Sequence, residues 1–191
     1  MDPRTELRRQ LRALSELALA VGQECASDLE AVVTLVRDTL ARGGRLFFCG
    51  NGGSAADAQH LAAEYVVRFR RSRKALPAMA LTTDTSVLTA GANDFGFETV
   101  FARQVEALGR EGDLLLLHST SGNSENLLRA AEAARARGMG TVAFLARDGG
   151  RLREMVDRAL VVPTDDTARA QELHLALGHV VCDLVEEVAG G

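Results

Sequence analysis

Histidine and carboxylate side chains that could move protons stand at helical spacing in two parts of the sequence. His60 and Glu64 are four residues apart, which places them on one face of a helix, about 40° apart around its axis. In the segment QELHLALGHVVCDLVEE, His179 lies about 80° from Gln171 and His174 about 60° to the other side. The spacing fits a metal pair, a base held by a neighbour, or ordinary surface contacts. We interpret His174 as structural.

Hydroxyl side chains are concentrated in one loop, STSGNS at residues 119–124. Ser119, Thr120, Ser121 and Ser124 precede a predicted helix, whose free backbone N–H groups and positive dipole end attract anions. One serine would be enough to cap that helix, so this group of hydroxyls favours a binding site for a phosphate monoester over simple N-capping.

A glycine-rich loop, GNGGS at residues 50–54, follows a predicted strand and precedes a predicted helix. The loop lacks the lysine of GxxxxGK[ST] and the spacing of GxGxxG, so nucleotide binding is not supported. As an isolated motif it is compatible with ligand contact or with tight-turn geometry alone. The sequence also lacks GxSxG, so a Ser-His-Asp arrangement on a nucleophile elbow is not supported.

Taken together, these residues supply a phosphate cradle, a carboxylate that can accept a proton, and imidazoles that can return the proton or bind a metal. Proton transfer next to the carbonyl of a phosphorylated sugar needs this set of groups. The pattern therefore favours an aldose–ketose isomerase.

The elements that must position these residues alternate along the chain. Apolar residues at three- and four-residue steps over 5–41 predict two helices with a break near Gly22. Strands are predicted from short apolar runs at 45–49, 77–81, 113–118, 140–145 and 159–162, and helices at 54–68, through Val87, and at 98–108, 124–137 and 167–188. Strands that are apolar throughout and separated by helices predict a parallel sheet covered on both faces.

The chain length of 191 residues predicts a single domain over 1–191. Residues 42–191 form the predicted α/β core, and 1–41 form a helical pair in front of it. The pair carries a wide apolar stripe with no strand of its own to cover, so we expect an oligomer interface there rather than a simple cap.

Composition narrows the class of partner. The sum of 22 Lys and Arg against 26 Asp and Glu gives a net charge of −4, and aromatic residues make up 4%, which together disfavour nucleic acid. Three distant cysteines without CxxC argue against a disulfide framework, and charges interrupt every apolar run of the N-terminal MDPRTELRRQLRAL. We expect a cytoplasmic protein that does not contact membranes.

Several longer motifs resemble the phosphoheptose isomerase family of the sugar isomerase (SIS) domain superfamily. They are CGNGGSAADAQHLAAE (49–64), LTTDTSVLTAGANDFGFE (81–98), FARQVEALGREGD (101–113), STSGNS (119–124), RDGG (147–150) and TARAQELHLALGHVVCDLVE (167–186). The similarity runs from about residue 24 to 187 without a detectable gap. It implies a flavodoxin-like three-layer α/β sandwich with a five-stranded parallel sheet and two additional N-terminal helices, assembled as a homotetramer with sites at subunit interfaces.

The resemblance also implies a reaction. Sedoheptulose 7-phosphate and D-glycero-D-manno-heptose 7-phosphate would interconvert through an enediol, as the first step of activated-heptose biosynthesis. Glu64 would be the general base and His179 the partner acid.

The remaining roles also come from the resemblance. The expected substrate-binding residues are Asn51, Gly52, Gly53, Ser54, Glu64, Asn93, Asp94 and Gln171, with Ser119, Thr120, Ser121 and Ser124 on the phosphate. Zinc, where family members carry it, would be bound by His60, Glu64, Gln171 and His179, with one ion per subunit. Gln171 and His179 are about 12 Å apart along a helix, so we expect the site to draw on more than one chain.

Three positions depart from the family pattern. His118 stands where an aliphatic residue is usual, Gly91 replaces Ile or Val, and Ala146 replaces Gly. His118 either fills space or alters the pocket.

Alternatives to this reading remain. The presence of Glu64 and His179 favours the enzyme over a non-catalytic, replication-initiator-associating relative. A sugar-phosphate-sensing regulatory domain is less expected because such domains usually accompany a DNA-binding module. Isomerisation of another sugar phosphate stays open.

Overall fold

The computed structural model describes residues 2–189 as a parallel sheet between two layers of helices. In chain order the elements are α1 (Pro3–Glu24), α2 (Ala26–Ala41), β1 (Leu46–Gly50), α3 (Gly53–Val66), β2 (Ala78–Ala80), α4 (Thr85–Phe95), α5 (Val100–Leu108), β3 (Leu114–Ser119), α6 (Glu125–Ala136), β4 (Gly140–Ala146), β5 (Arg158–Val162) and α7 (Thr167–Ala189), with 3₁₀ turns at Phe97–Thr99 and Arg151–Glu154. The predicted strands and helices are thus present, with boundaries shifted by a few residues.

The five strands are all parallel and lie in the order β2-β1-β3-β4-β5. This is the flavodoxin-like order, so the predicted fold class is confirmed. The chain leaves β1 toward β2 on one side and returns to place β3 on the other side. A crevice therefore opens between the carboxyl ends of β1 and β3, where Gly50 pairs with His118.

The strands are buried on both faces, as their continuous apolar sequences predict. Leu114 and Leu116 of β3 pack toward α2, α3 and α7, whereas Leu115 and Leu117 pack toward α5 and α6. Two apolar layers therefore fix the helices that carry the candidate site residues.

The N-terminal helices differ from the prediction in two respects. The break lies at Cys25 and not near Gly22, because the Cys25 side chain turns into the core with Sγ 3.5 Å from the Val161 carbonyl oxygen. Helix α2 also has strands to cover, since Val32 and Val36 are fully buried against the sheet. Only α1 stands outside the layers.

Other expectations can be compared directly with the fold. Helix α4 begins at Thr85, where the Asp84 carboxylate accepts the Val87 N–H at 3.0 Å, and continues past the predicted end to Phe95. The three cysteines are free and buried. Within residues 2–189, no helix combines the length and the apolar character that a membrane span requires.

Candidate active site

A cavity of about 300 Å³ lies in the crevice between the carboxyl ends of β1 and β3. It is lined by both polar loops predicted to bind ligand and by two residues of α7: Asn51, Gly52, Gly53, Ser54, His118, Ser119, Thr120, Ser121, Ser124, Thr167 and Gln171. The fold thus brings the glycine-rich loop and the hydroxyl-rich loop together, although 65 residues separate Ser54 from Ser119.

Three helix N-termini meet at this cavity. Gly53 begins α3, Ser124 is the N-cap of α6, and Thr167 begins α7. Each N-terminus carries a partial positive charge. At α7 the Ala168 and Arg169 N–H groups already donate to the Asp166 carboxylate, at 2.9 and 3.3 Å. No lysine or arginine is among the lining residues. The cavity is therefore a neutral cradle suited to an anion such as a phosphate monoester.

The hydroxyl-rich loop is held in one shape by its own side chains. The Gly122 N–H donates to Ser119 Oγ at 3.0 Å, and the Asn123 N–H donates to Ser121 Oγ at 3.2 Å. Ser124 has the backbone of an N-cap, but its side chain makes no capping hydrogen bond. Capping therefore does not account for the Ser124 hydroxyl.

Glycine is required at one point of this loop. Gly122 has φ +64°, and a Cβ atom there would collide with the carbonyl group of Gly149 in the neighbouring RDGG segment. The loop and that segment are packed backbone to backbone, which any larger residue would separate.

The glycine-rich loop leaves room for a side chain of α7. A Cβ atom on Gly53 would lie 2.7 Å from both Nε2 and Oε1 of Gln171, and Gln171 Nε2 is 3.4 Å from Ser54 Oγ. Asn51 exchanges two amide hydrogen bonds, of 2.9 and 2.8 Å, with the buried Asn126 of α6. These contacts join the two loops into one rigid surface.

The second group of candidate residues converges between α3 and α7. His60 Nε2 is 2.9 Å from His179 Nε2 and 3.3 Å from Glu64 Oε1. One donor atom from each of the three side chains lies within 4.8 Å of the others. We refer to His60, Glu64 and His179 as the proton-transfer trio.

The environment of His179 favours its neutral form. Partial burial is the main cause of a lowered pKa for the His179 imidazole, and the charge of His60 acts in the same direction, whereas Glu64 opposes it. Two protonated imidazoles cannot share a 2.9 Å contact, so the pair holds at most one proton between the two Nε2 atoms. A pair that shares one proton between two nitrogen atoms can accept and return that proton.

The trio could also bind a divalent metal ion. Imidazole nitrogen and carboxylate oxygen are zinc ligands at about 2.0–2.2 Å, which places neighbouring ligand atoms of a tetrahedron about 3.3 Å apart. The observed separations of 2.9 and 3.3 Å match that spacing. The donor set therefore fits zinc with three of its four ligands.

Gln171, the fourth predicted metal ligand, lies elsewhere in the chain. It is eight residues before His179 on α7, which corresponds to about 12 Å of helix, and its amide contacts Ser54. The trio and Gln171 of one chain therefore do not surround the same point.

The trio and the cavity are themselves well separated. Glu64 lies 11 residues after Gly53 on α3, or about 16 Å along the axis. His179 lies 12 residues after Thr167 on α7, or about 18 Å. Both helices begin at the cavity, and His60 lies seven residues after Gly53, or about 10 Å, so Glu64 and His179 are the members of the trio farthest from the cavity.

Two predicted substrate residues do not join either group. Asn93 and Asp94 are exposed on α4 and hydrogen-bond to each other at 2.7 Å, and neither lines the cavity. In one chain they form a separate polar site on the surface.

His118 and His174 lie in the core beneath the cavity. The His118 ring stacks on Phe144 with centroids 4.6 Å apart, and neither of its ring nitrogens has a hydrogen-bond partner within residues 2–189. His174 Nε2 is 2.8 Å from the Leu145 carbonyl oxygen, as expected for a structural residue. Burial lowers the pKa of His118 to about 3 and that of His174 to about 4.

Several contributing residues lay outside the sequence prediction. Thr167 lines the cavity, Asn126 pairs with Asn51, and Phe69 stacks on the His179 ring with centroids 5.0 Å apart. Thr167 had a signal, because it follows two aspartates at a helix start. The other two depend on contacts between distant elements, for which one sequence offers no pattern.

Comparison with known proteins gives one consistent result. Residues 11–146 match the SIS domain family. A phosphoheptose isomerase of Akkermansia muciniphila is 50% identical over 186 residues, covering 97% of this chain and 98% of that protein. One from a Roseiflexus species is 59% identical over 156 residues, covering 82% and 79%. The solved structure of phosphoheptose isomerase from Neisseria gonorrhoeae has a TM-score of 0.92 and 40% identity, covering 97% of this chain and all of that one.

Proposed function

The chain belongs to the phosphoheptose isomerase family of SIS-domain proteins, and from that membership we propose that it interconverts sedoheptulose 7-phosphate and D-glycero-D-manno-heptose 7-phosphate. The product enters activated-heptose biosynthesis. The observation that supports this reaction most strongly is the convergence of His60, Glu64 and His179 between α3 and α7. These side chains can move a proton without any redox partner.

In the proposed mechanism Glu64 is the general base. Its carboxylate removes a proton from C1 of the ketose, while His179 donates a proton to the oxygen on C2. The resulting cis-enediol takes the proton back from Glu64 at C2, and His179 recovers a proton from the oxygen on C1. The atoms balance, because one proton moves between carbons and another between oxygens. His60 holds the His179 ring through the 2.9 Å contact between their Nε2 atoms.

The cavity at the β1/β3 crevice is the proposed phosphate site. Backbone N–H groups at three helix N-termini and the hydroxyls of Ser119, Thr120, Ser121 and Ser124 would bind the phosphate oxygens. Asn51, Gly52, Gly53 and Ser54 would contact the adjoining sugar, with Gln171 beside them. Phosphate held at one end fixes the distance from which C1 and C2 reach the base.

Zinc is the proposed metal of the trio, one ion per subunit. His60, Glu64 and His179 would hold it, and Gln171 of a second copy would supply a fourth ligand. A bound zinc ion polarises a carbonyl and stabilises the charge of an enediolate. Metal binding and proton abstraction compete for the same Glu64 carboxylate, so Glu64 serves either as a zinc ligand or as the base.

We also propose that the active unit is a homotetramer with sites at subunit interfaces. An open-chain heptose 7-phosphate spans about 10 Å from C1 to phosphorus, at about 1.2 Å of advance per bond as in an extended backbone. Glu64 and His179 of one chain, which would act on C1 and C2, lie about 16–18 Å from the cradle along α3 and α7. The cradle of one copy would therefore work with the trio of another. The exposed Leu7, Leu11 and Leu19 of α1 are proposed interface residues.

The proposed function is tested by direct assay. The purified protein is incubated with sedoheptulose 7-phosphate, and formation of the aldose is followed. We expect turnover that falls after treatment with a chelator and returns on addition of zinc. Turnover of another ketose phosphate, with none of sedoheptulose 7-phosphate, would reassign the substrate. Full activity after complete metal removal would exclude the proposed role of zinc.

A further inference from the structure

The segment between α3 and β2 is fastened to α7 by one buried carboxylate. Glu186 is 1% exposed, and its oxygens accept the backbone N–H groups of Phe69, Arg70 and Arg71 at 2.7, 2.8 and 2.9 Å. The Arg73 guanidinium lies 3.0 Å from Glu186 Oε1, and its side chain is equally buried. These bonds hold the pKa of the Glu186 carboxyl below its usual range despite the opposing effect of burial.

The same segment is tied to the helix that carries Glu64. Arg73 Nη2 donates to the Glu64 carbonyl oxygen at 2.7 Å, and Arg73 Nη1 donates to the Tyr65 carbonyl oxygen at 2.7 Å. Glu186 and Arg73 therefore connect the end of α3 to the second half of α7. Such a connection fixes the distance between the two helices at the level of the proton-transfer trio.

Phe69 uses this anchorage to cover His179. The two rings are stacked at 5.0 Å with an interplanar angle of 17°. Glu186 follows His179 by seven residues, which is about two helical turns, so both side chains leave the same face of α7. A carboxylate at that position holds the Phe69 backbone at the height where the phenyl ring meets the imidazole.

The stacked ring restricts the orientation of His179. The imidazole stacks on the phenyl face of Phe69, and its Nε2 atom contacts His60, whose ring is inclined by 63°. Without the phenyl ring, one face of the imidazole would be open to water, and the imidazole ring would be free to rotate about χ2. With it, Nε2 points toward His60 and Glu64.

We propose that Phe69 and Glu186 are positioning residues for the active site: Glu186 holds the segment, and Phe69 orients the His179 ring within the proton-transfer trio. The roles of these two residues rest on the function proposed above. Neither residue lines the cavity. Partners of this kind commonly change activity or metal affinity by about 10- to 100-fold when they are removed.

The test compares Phe69→Leu with Phe69→Tyr in the whole 191-residue chain. Leucine keeps an apolar cover but loses the flat ring, whereas tyrosine keeps the ring. We expect Phe69→Leu to lower kcat by about 10- to 100-fold with KM unchanged. In Phe69→Tyr, which keeps the ring, kcat should stay near the parental value. Zinc affinity, measured by competition with a chelating dye, should weaken over the same range in Phe69→Leu only.

A spectroscopic readout separates this proposal from the proposed reaction. The ring protons of His179, observed in protein with histidine labelled selectively, should be shifted upfield by the stacked phenyl ring and should move downfield in Phe69→Leu. Glu186→Gln should shift them in the same direction by loosening the segment. Unchanged His179 signals and unchanged zinc affinity in Phe69→Leu would overturn the proposal, even if the protein proves inactive on the expected sugar.

Discussion

Three side chains carry the proposed chemistry, and their protonation is coupled by contact. His60 and His179 share a 2.9 Å contact between nitrogen atoms, and Glu64 lies 3.3 Å from His60. A proton taken by any one of them changes the field at the other two. The trio therefore acts as one unit, and single substitutions should be costly and not additive.

Glu64→Gln should abolish isomerisation while sugar phosphate still binds. The amide has nearly the shape of the carboxylate but cannot accept a proton from carbon. Turnover and the affinity for sedoheptulose 7-phosphate, measured by calorimetry, check the two halves of this statement. Near-normal turnover would remove Glu64 from the role of base.

His179→Gln should lower kcat by at least about 100-fold, within the range of acid–base catalysis. Glutamine can donate a hydrogen bond but cannot release a proton near neutral pH. Steady-state kinetics at saturating substrate provide the measurement. A loss confined to KM would assign His179 to substrate binding instead.

Acid sensitivity should arise from the two core histidines. His118 and His174 have pKa values lowered to about 3 and about 4, whereas unfolded histidine titrates near 6.5. Above pH 6.5 both are neutral in both states and contribute no pH dependence. As pH falls from about 6.5 toward 4, the unfolded chain binds more protons, so each histidine lowers the free energy of unfolding by about 1.4 kcal/mol per pH unit.

His118→Leu measures the share of one histidine. Urea unfolding at fixed protein concentration between pH 4.5 and 6 should show a slope reduced by about 1.4 kcal/mol per pH unit relative to the parent. A slope equal to that of the parent would mean that the His118 pKa is not lowered in the folded state. Leucine is chosen because it is apolar and the four residues before His118 in β3 are buried leucines.

At the scale of elements, the loops at the carboxyl ends of β1 and β3 determine what the fold can bind. These two strand ends lie at the topological switch point, where the order in which strands are added to the sheet reverses. The helix N-termini of α3, α6 and α7 face one cavity there. The conformation of these loops sets where their backbone N–H groups and hydroxyls point, so a change of loop shape should affect binding.

Two glycine substitutions distinguish a binding loop from a tolerant helix. Gly122→Ala introduces a Cβ at φ +64° against the Gly149 backbone, so it should raise KM for the sugar phosphate and destabilise the fold. Gly91→Ala, within α4, is the matched control, because the new Cβ would lie 3.9 Å from Val100 Cγ1 of α5, an ordinary van der Waals contact. It should stabilise the protein by about 0.5–1 kcal/mol.

Steady-state kinetics give the KM of both variants, and urea unfolding gives their free energy of unfolding. If Gly122→Ala kept the parental KM, the close packing against Gly149 would be irrelevant to phosphate binding. If Gly91→Ala were destabilising, the space beside Val100 would be smaller than the structure indicates.

The elements were largely predictable because their signals are local. Short apolar runs such as Leu114–Leu117, bounded by turn residues, predict buried strands, and the loops between them carry glycine and hydroxyl residues. The break at Cys25 and the full extent of α4 were not predictable in this way. The break at Cys25 depends on a contact between its buried thiol and Val161, which is far away in sequence. Helix α4 is bounded by the Asp84 cap at its start and by Gly96, with φ +88°, at its end, and these local signals lie outside the apolar pattern.

The candidate site was predictable only in its motifs. The composition of residues 50–54 and 119–124 indicates two binding loops, and the helical spacing of His60 and Glu64 indicates that they share one helix face. The stacking of Phe69 on His179 and the anchorage by Glu186 needed the packing of α3 against α7. The distance between the cradle and Glu64 or His179 could likewise be derived only after α3 and α7 were both known to begin at the cavity.

At the scale of the whole molecule, one chain carries both halves of the proposed site but holds them too far apart for one substrate. Glu64 and His179 lie about 16–18 Å from the cradle along their helices, whereas the sugar phosphate spans about 10 Å from C1 to phosphorus. The apolar surface of α1 offers a means of assembly. The central claim is therefore that a site combines the cradle of one copy with the trio of another.

Mixing two inactive variants tests that claim most directly. Glu64→Gln removes the base, and Ser124→Asp repels phosphate while remaining a good N-cap of α6, with Ser124→Asn as the neutral control. Chains of the two inactive variants are refolded together and assayed with sedoheptulose 7-phosphate. Shared sites predict recovery to about a quarter of parental activity, because random assembly pairs an intact cradle with an intact trio in that fraction of sites. Mixed oligomers as inactive as their parents would contradict the account, since every site would then lie within one chain.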